Sequence, residues 1–138
     1  MIRNILSVII GLVSSFFVII ILENIGFAMY PPPVKLNASN PEAMKVYYST
    51  APTIVLLMLI LAYAIGSFVG GLVTSMVAIN NKTRKAMTAG GILMGLGIYN
   101  LIAIPHPIWV VIGSLSVFMP FAYLGGKLGI KITKKNKL

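Results

Sequence analysis

Few side chains in this chain could do chemistry, and most of those that could are set in apolar surroundings. Its acidic residues are Glu23 and Glu42, its one histidine is His106, and it has no cysteine. Glu23 sits near the end of a first apolar run, over residues 5–29. A carboxylate at membrane depth is expensive to ionise and is a functional candidate by default. At ~1.5 Å per helical residue it falls ~27 Å from Ile5, close to the far edge of a hydrocarbon core ~30 Å thick. Tyr63 falls ~16 Å into a second run, counted from Pro52, and Asn100 ~21 Å up a third, at a depth similar to Glu23. Glu23, its neighbour Asn24, Tyr63 and Asn100 form the candidate proton or ligand site. Two readings stand for Glu23: a hydrated interfacial carboxylate or one hydrogen-bonded to Asn100, and a proton- or cation-binding group. Tyr63 is first a structural residue, since a buried hydroxyl needs a partner.

The remaining polar groups exclude more than they suggest. One histidine without cysteine does not make a metal site, so no metal and no cofactor is expected. His106 stands between Pro105 and Pro107 in a turn, either as an exposed turn residue or as a sensor of external pH. Trp109 beside it is an aromatic-belt anchor. There is no Ser-His-Asp or Cys-His set and no phosphate loop, and two carboxylates are too few for an intramembrane hydrolase, so the chain is not expected to be an enzyme. Asn37-Ala38-Ser39 matches a glycosylation acceptor, a pattern that depends on a eukaryotic context.

The elements that must position these residues follow from the oil between the charges. The 138 residues are 58% hydrophobic and 9% charged, with a mean hydropathy of +0.96. An ordinary soluble domain is roughly a quarter charged, so lipid is the better solvent for this chain. The expected fold is a single all-α membrane domain, residues 1–138, with spans over residues 5–29, 52–79, 86–104 and 108–128. The Tyr30-Pro31-Pro32-Pro33 block ends the first span. A polar loop, residues 34–51, holds Ser39-Asn40-Pro41-Glu42, a helix start, and then a short amphipathic helix that should lie on the membrane surface. Residues 80–85 form a basic turn, Pro105-His106-Pro107 a tight reversal, and residues 129–138 a basic tail. Pro120 should kink the fourth span.

Charge sets the orientation. The net charge is +9, and nine of the eleven Lys and Arg residues flank the start of the first run, the middle turn and the tail, leaving Lys35 and Lys45 for the first loop. Both termini and the middle turn should therefore be cytoplasmic: two hairpins, N-in and C-in, in a cytoplasmic membrane. The same clusters should attract anionic lipid head groups, and they form no basic helix face for nucleic acid. Gly66 and Gly70, and Gly91 and Gly95, are spaced four apart, as are Ser7, Gly11 and Ser15. Such spacing puts small residues on one face for close helix packing, with Gly71 beside it. The sharper reading of the same faces is a seam with a second copy in a homo-oligomer, or the lining of a pathway. The hairpins also repeat loosely, Glu23-Asn24 and Gly70-Gly71 in the first against Tyr99-Asn100 and Gly125-Gly126 in the second.

Asn40-Pro41-Glu42-Ala43, the run Gly66-Ser67-Phe68-Val69-Gly70-Gly71 and the stretch Asn100 to Trp109, with its Ile104-Pro105-His106-Pro107 turn, resemble a group of small bacterial four-span membrane proteins with no assigned activity. That resemblance covers most of the chain and implies topology and a bacterial inner-membrane location, not a mechanism. In architecture alone, four spans with a lone glutamate in the first are similar to the small multidrug exporters, which exchange protons for cationic drugs through that glutamate. This chain departs from them in the outer position of Glu23, its strong Lys/Arg asymmetry, its long first loop and its aromatic pattern. The first expectation is an accessory membrane protein acting through helix packing. The rival is a proton-coupled transporter of cations or small molecules using Glu23.

Overall fold

The structure, a computed structural model, describes residues 2–29, 41–50, 52–103 and 106–136. It comprises α1 (Ile2–Met29), α2 (Pro41–Thr50), α3 (Thr53–Val77), α4 (Lys82–Ala103) and α5 (Ile108–Asn136). No strand occurs among the described residues. Helices α1, α3, α4 and α5 are each long and apolar enough to cross a membrane, which makes this a multi-pass membrane protein. Phe17, Ile21, Leu61 and Ile112 lie on its outside, more than half exposed, a surface suited to lipid and not to water.

The helix boundaries follow the prolines and asparagines. Pro52 and Pro107 stand just before α3 and α5, where a missing N–H costs nothing. Their carbonyls accept the first-turn amides of Val55 and Val110, both at 3.0 Å. Helix α3 ends at Ala78, which is extended and returns its N–H to the Thr74 carbonyl. The chain then turns through Asn81 at φ 48°, in the left-handed region that asparagine tolerates, and the Asn81 carbonyl accepts the Lys85 amide at 3.0 Å.

Two expected boundaries shift. The basic turn expected over residues 80–85 is shorter, because Lys82, Arg84 and Lys85 already belong to the first turns of α4. The basic tail is helical through Asn136, and α5 runs on past Pro120 without interruption. Lysine is a good helix former, and nothing in residues 129–136 breaks the helix. The expected caps of α2, Ser39 and Asn40, lie outside the described residues, as do Asn37 and the Pro31 to Pro33 block.

Helix α3 is the centre of the bundle. It packs most extensively on α5 and α1, less on α4, while α1 and α4 meet only slightly. Along α1 and α3 the contacts run Gly11 with Thr74, Ser15 with Gly70, Ile19 with Gly66 and Gly26 with Met58, so these helices are antiparallel. Along α3 and α5 they run Ile60 with Gly113, Phe68 with Gly125 and Leu72 with Gly129, so these are parallel. Helix α4 opposes α5 through Gly97 with Phe118, Gly90 with Ala122 and Ala86 with Gly126. Both chain ends and the α3–α4 turn therefore share one end of the bundle, the basic end, and α2 and the α4–α5 turn share the other.

The tightest contacts gather in the half nearer the basic end. A Cβ on Gly71 would overlap the Ala122 carbonyl, and one on Gly125 would overlap the Phe68 carbonyl. One on Gly11 or Gly70 would strike Thr74 or Ser15. The α3–α4 turn is clipped to α1 there. Asn4 accepts the Ile79 amide at 3.1 Å and donates its Nδ2 to Asn80 Oδ1 at 2.8 Å, and Arg3 Nε donates to the Val77 carbonyl at 3.1 Å.

Candidate functional site

In the other half, where α1 and α4 meet only slightly, lies a half-open cavity of about 300 Å³. Phe16, Ile19, Ile20 and Glu23 of α1 line it, with Tyr63 of α3, Leu93, Leu96, Gly97 and Asn100 of α4, and Phe118 of α5. All four long helices contribute. Tyr63 is 4% exposed and its ring packs at 5.4 Å, centroid to centroid, on Phe118. Asn100 Nδ2 donates to the Tyr63 hydroxyl at 3.1 Å. Having accepted that hydrogen, the Tyr63 hydroxyl keeps its own proton to donate. Gly97 holds the cavity beside Phe118, whose ring edge lies 2.7 Å from where a Cβ on Gly97 would stand.

The sequence-derived site thus assembles in part. Glu23, Tyr63 and Asn100, from three helices, meet at one cavity. Asn24 does not join them: it is exposed, and its Nδ2 donates back to the Ile20 carbonyl at 2.9 Å. Asn100 is bonded to Tyr63, not to Glu23, which replaces the partner anticipated for the carboxylate. Glu23 is also deeper along α3 than its count from Ile5 suggested. Ile19 faces Gly66 and Gly26 faces Met58, so Glu23 stands level with about residues 61–62 of α3, ~13 Å along from Thr53. The long first run could slide in a bilayer, and it is the small-residue packing of α1 on α3 that fixes its register.

A second, much smaller space of about 20 Å³ lies on the other side of Glu23, between Leu22, Gly26 and Phe27 of α1 and Val55, Met58 and Leu59 of α3. Above it α2 docks on α1, the Phe27 and Tyr47 rings 5.5 Å apart. Tyr47 is buried there, and burial pushes its phenol above the ordinary tyrosine range. Among the described residues, no Lys, Arg or His lines either space. The cavity walls, with Phe16, Phe118 and Gly97, could not have been drawn from the sequence alone, since they come from four helices whose mutual rotation no spacing declares.

Of the packing glycines, Gly11, Gly66, Gly70 and Gly71 are buried at helix contacts. Gly91 and Gly95 are not: they are exposed, with no atom within 4 Å of an added Cβ. Within the chain α4 packs through Gly90 and Gly97 instead, because the face opposite the Gly91–Gly95 pair carries Ala86, Ala89, Leu93 and Leu101. His106 is half-buried at the α4–α5 turn and not the exposed group expected, and Trp109 is 42% exposed on the first turn of α5.

No family model matches the chain, and no curated protein and no solved structure matches it.

Proposed function

We propose that this protein binds a small lipophilic organic cation against Glu23 and exchanges it for a proton. The observation that carries the reading is the cavity of about 300 Å³ that places one carboxylate among apolar and aromatic walls, with no basic side chain among the described residues that line it. Its volume is at the lower end of small-ligand pockets, ~300–1,000 Å³. The rings of Phe16, Tyr63 and Phe118 suit a bulky cation, and a lone acid supplies the opposite charge. Tyr63, held by Asn100, offers a hydroxyl to whichever state Glu23 occupies. A cation favours the ionised carboxylate, so ligand and proton compete for it, and coupling follows from that competition.

The tightly packed half favours the accessory reading less than it first suggests, since a binding cavity also needs a rigid floor. In the proposed arrangement the basic end faces the cytoplasm of a bacterial cell, where Arg3, the first turns of α4 and the α5 lysines meet anionic head groups. Helix α2 lies at the outer surface, and the cavity opens in the outer half of the membrane.

Tetraphenylphosphonium binding to the purified protein, measured by calorimetry in detergent, tests the reading. Binding that weakens at least about tenfold, ~1.4 kcal/mol, in Glu23→Gln and recovers in part in Glu23→Asp supports it. Equal binding by the wild type and Glu23→Gln overturns it.

A further inference from the structure

The large cavity is uneven in two directions, across its depth and along the bundle axis. Across its depth, Tyr63, Leu93 and Phe118 are buried and form the floor, whereas Phe16, Ile20 and Leu96 are exposed and form the rim. The rim belongs to α1 and α4, the two helices that meet only slightly. Ser15 lies against Gly70 and Ile19 against Gly66, so Phe16 stands level with about residue 69 of α3 and Glu23 with about residues 61–62. Both levels are ~12 Å or more from either end of α3. The mouth therefore opens sideways into hydrocarbon and toward neither aqueous face. Along the axis the lining changes character. Glu23 and Asn100 stand on the α2 side, while Phe16 and Leu93, each two turns earlier on the same helix, stand on the basic side.

We infer that the cavity takes a single-chain amphiphile with a cationic head, entering sideways from the outer leaflet, its head at Glu23 and its chain leaving through the mouth into lipid. The inference rests on the proposed exchange and names its substrate class. A carboxylate with no basic side chain among the described lining residues selects a positive head, and the apolar end beyond it selects a chain. In the proposed orientation Glu23 is at the outer end of the cavity. The ligand is then bound in the attitude it already holds in the leaflet, head toward water and chain toward the midplane. The half-open mouth also relaxes the size limit. A molecule larger than about 300 Å³ is accepted, because the part of the chain that does not fit stays in lipid, a solvent as apolar as the cavity wall.

Chain length gives a direct test. Alkyltrimethylammoniums from octyl to hexadecyl displace labelled tetraphenylphosphonium from the protein in nanodiscs, each affinity corrected for partitioning into protein-free nanodiscs. The fixed charge of these heads leaves Glu23 as the acid under test. Corrected affinity is expected to hold within about threefold along the series in the wild type, and to fall at least about tenfold in Glu23→Gln. Ile20→Trp and Leu96→Trp, which crowd the mouth from α1 and from α4, should weaken the hexadecyl homologue about tenfold more than the octyl one. The wild-type series decides the matter by itself should either variant fold poorly. Corrected affinity that falls steadily with length while phosphonium still binds, as an enclosed pocket or a mouth covered by a second copy would give, overturns this inference and leaves the exchange standing. Equal displacement by dodecyl sulfate or dodecanol shows a mouth that takes any chain, and overturns it too, as does equal weakening of short and long homologues in both tryptophan variants. Binding of neither phosphonium nor any homologue sinks the exchange reading and this inference with it.

Discussion

At the residue scale, the polar groups of the bundle divide by whether they have a partner. The Asn100 amide donates to the Tyr63 hydroxyl, so removing either group costs the other that bond. Tyr63→Phe should lower the thermal midpoint by an amount equivalent to about 1 kcal/mol, the usual net worth of such a bond, and Asn100→Leu should cost less because it leaves only a hydroxyl behind. Differential scanning fluorimetry in detergent checks both. Ser67, Thr74 and Ser114 are the opposite case: each hydroxyl is buried with no hydrogen-bond partner among the described residues. A lone buried hydroxyl carries a desolvation cost without return. Ser67→Ala should therefore leave the midpoint unchanged or raise it, and a clear fall would show that the hydroxyl has a role in the bundle.

At the element scale, glycines of the same spacing have different uses. On α3 and α5, Gly71 and Gly125 let one backbone rest on a carbonyl of the other, and backbone cannot step aside as a flexible side chain can. Gly71→Ala and Gly125→Ala should each separate the two helices, lowering the midpoint and yield of folded protein by an equivalent of about 1–3 kcal/mol, the range of overpacking. Gly91→Ala and Gly95→Ala meet open space and should be neutral, or stabilising by ~0.5–1 kcal/mol each through helix propensity. The comparison exposes what the sequence could convey. Spacing of four marks a small-residue face, as at Gly66 and Gly70, but does not say whether a neighbour covers it, so Gly91 and Gly95 look identical to packed glycines. The helices themselves were legible because unbroken apolar runs and prolines at their ends are local signals. The helical state of residues 129–136 was not anticipated, since a lysine-rich end reads as a tail in composition although it has good helix propensity.

At the scale of the whole molecule, the bundle is asymmetric along its axis: sealed by small residues near the basic end and open around Glu23 toward α2. That asymmetry was half visible beforehand. The candidate acid, phenol and amide could be named from residue type and rough depth, but their meeting at one cavity depends on helix rotation and on the register between α1 and α3. The proposed orientation makes its own prediction. In this naturally cysteine-free chain, His106→Cys should react with an impermeant thiol reagent added to intact cells and Thr83→Cys should not; the reverse pattern would invert the bundle. The central claim, that one carboxylate trades a proton for a lipophilic cation, is tested most directly by counting protons. Tetraphenylphosphonium is added to the wild type in weakly buffered detergent, with a pH dye reporting release. The account predicts release that tracks ligand bound, shrinks as pH is raised until Glu23 is ionised before the ligand arrives, and vanishes in Glu23→Gln. Binding without proton release at any pH, or release that survives in Glu23→Gln, would contradict it.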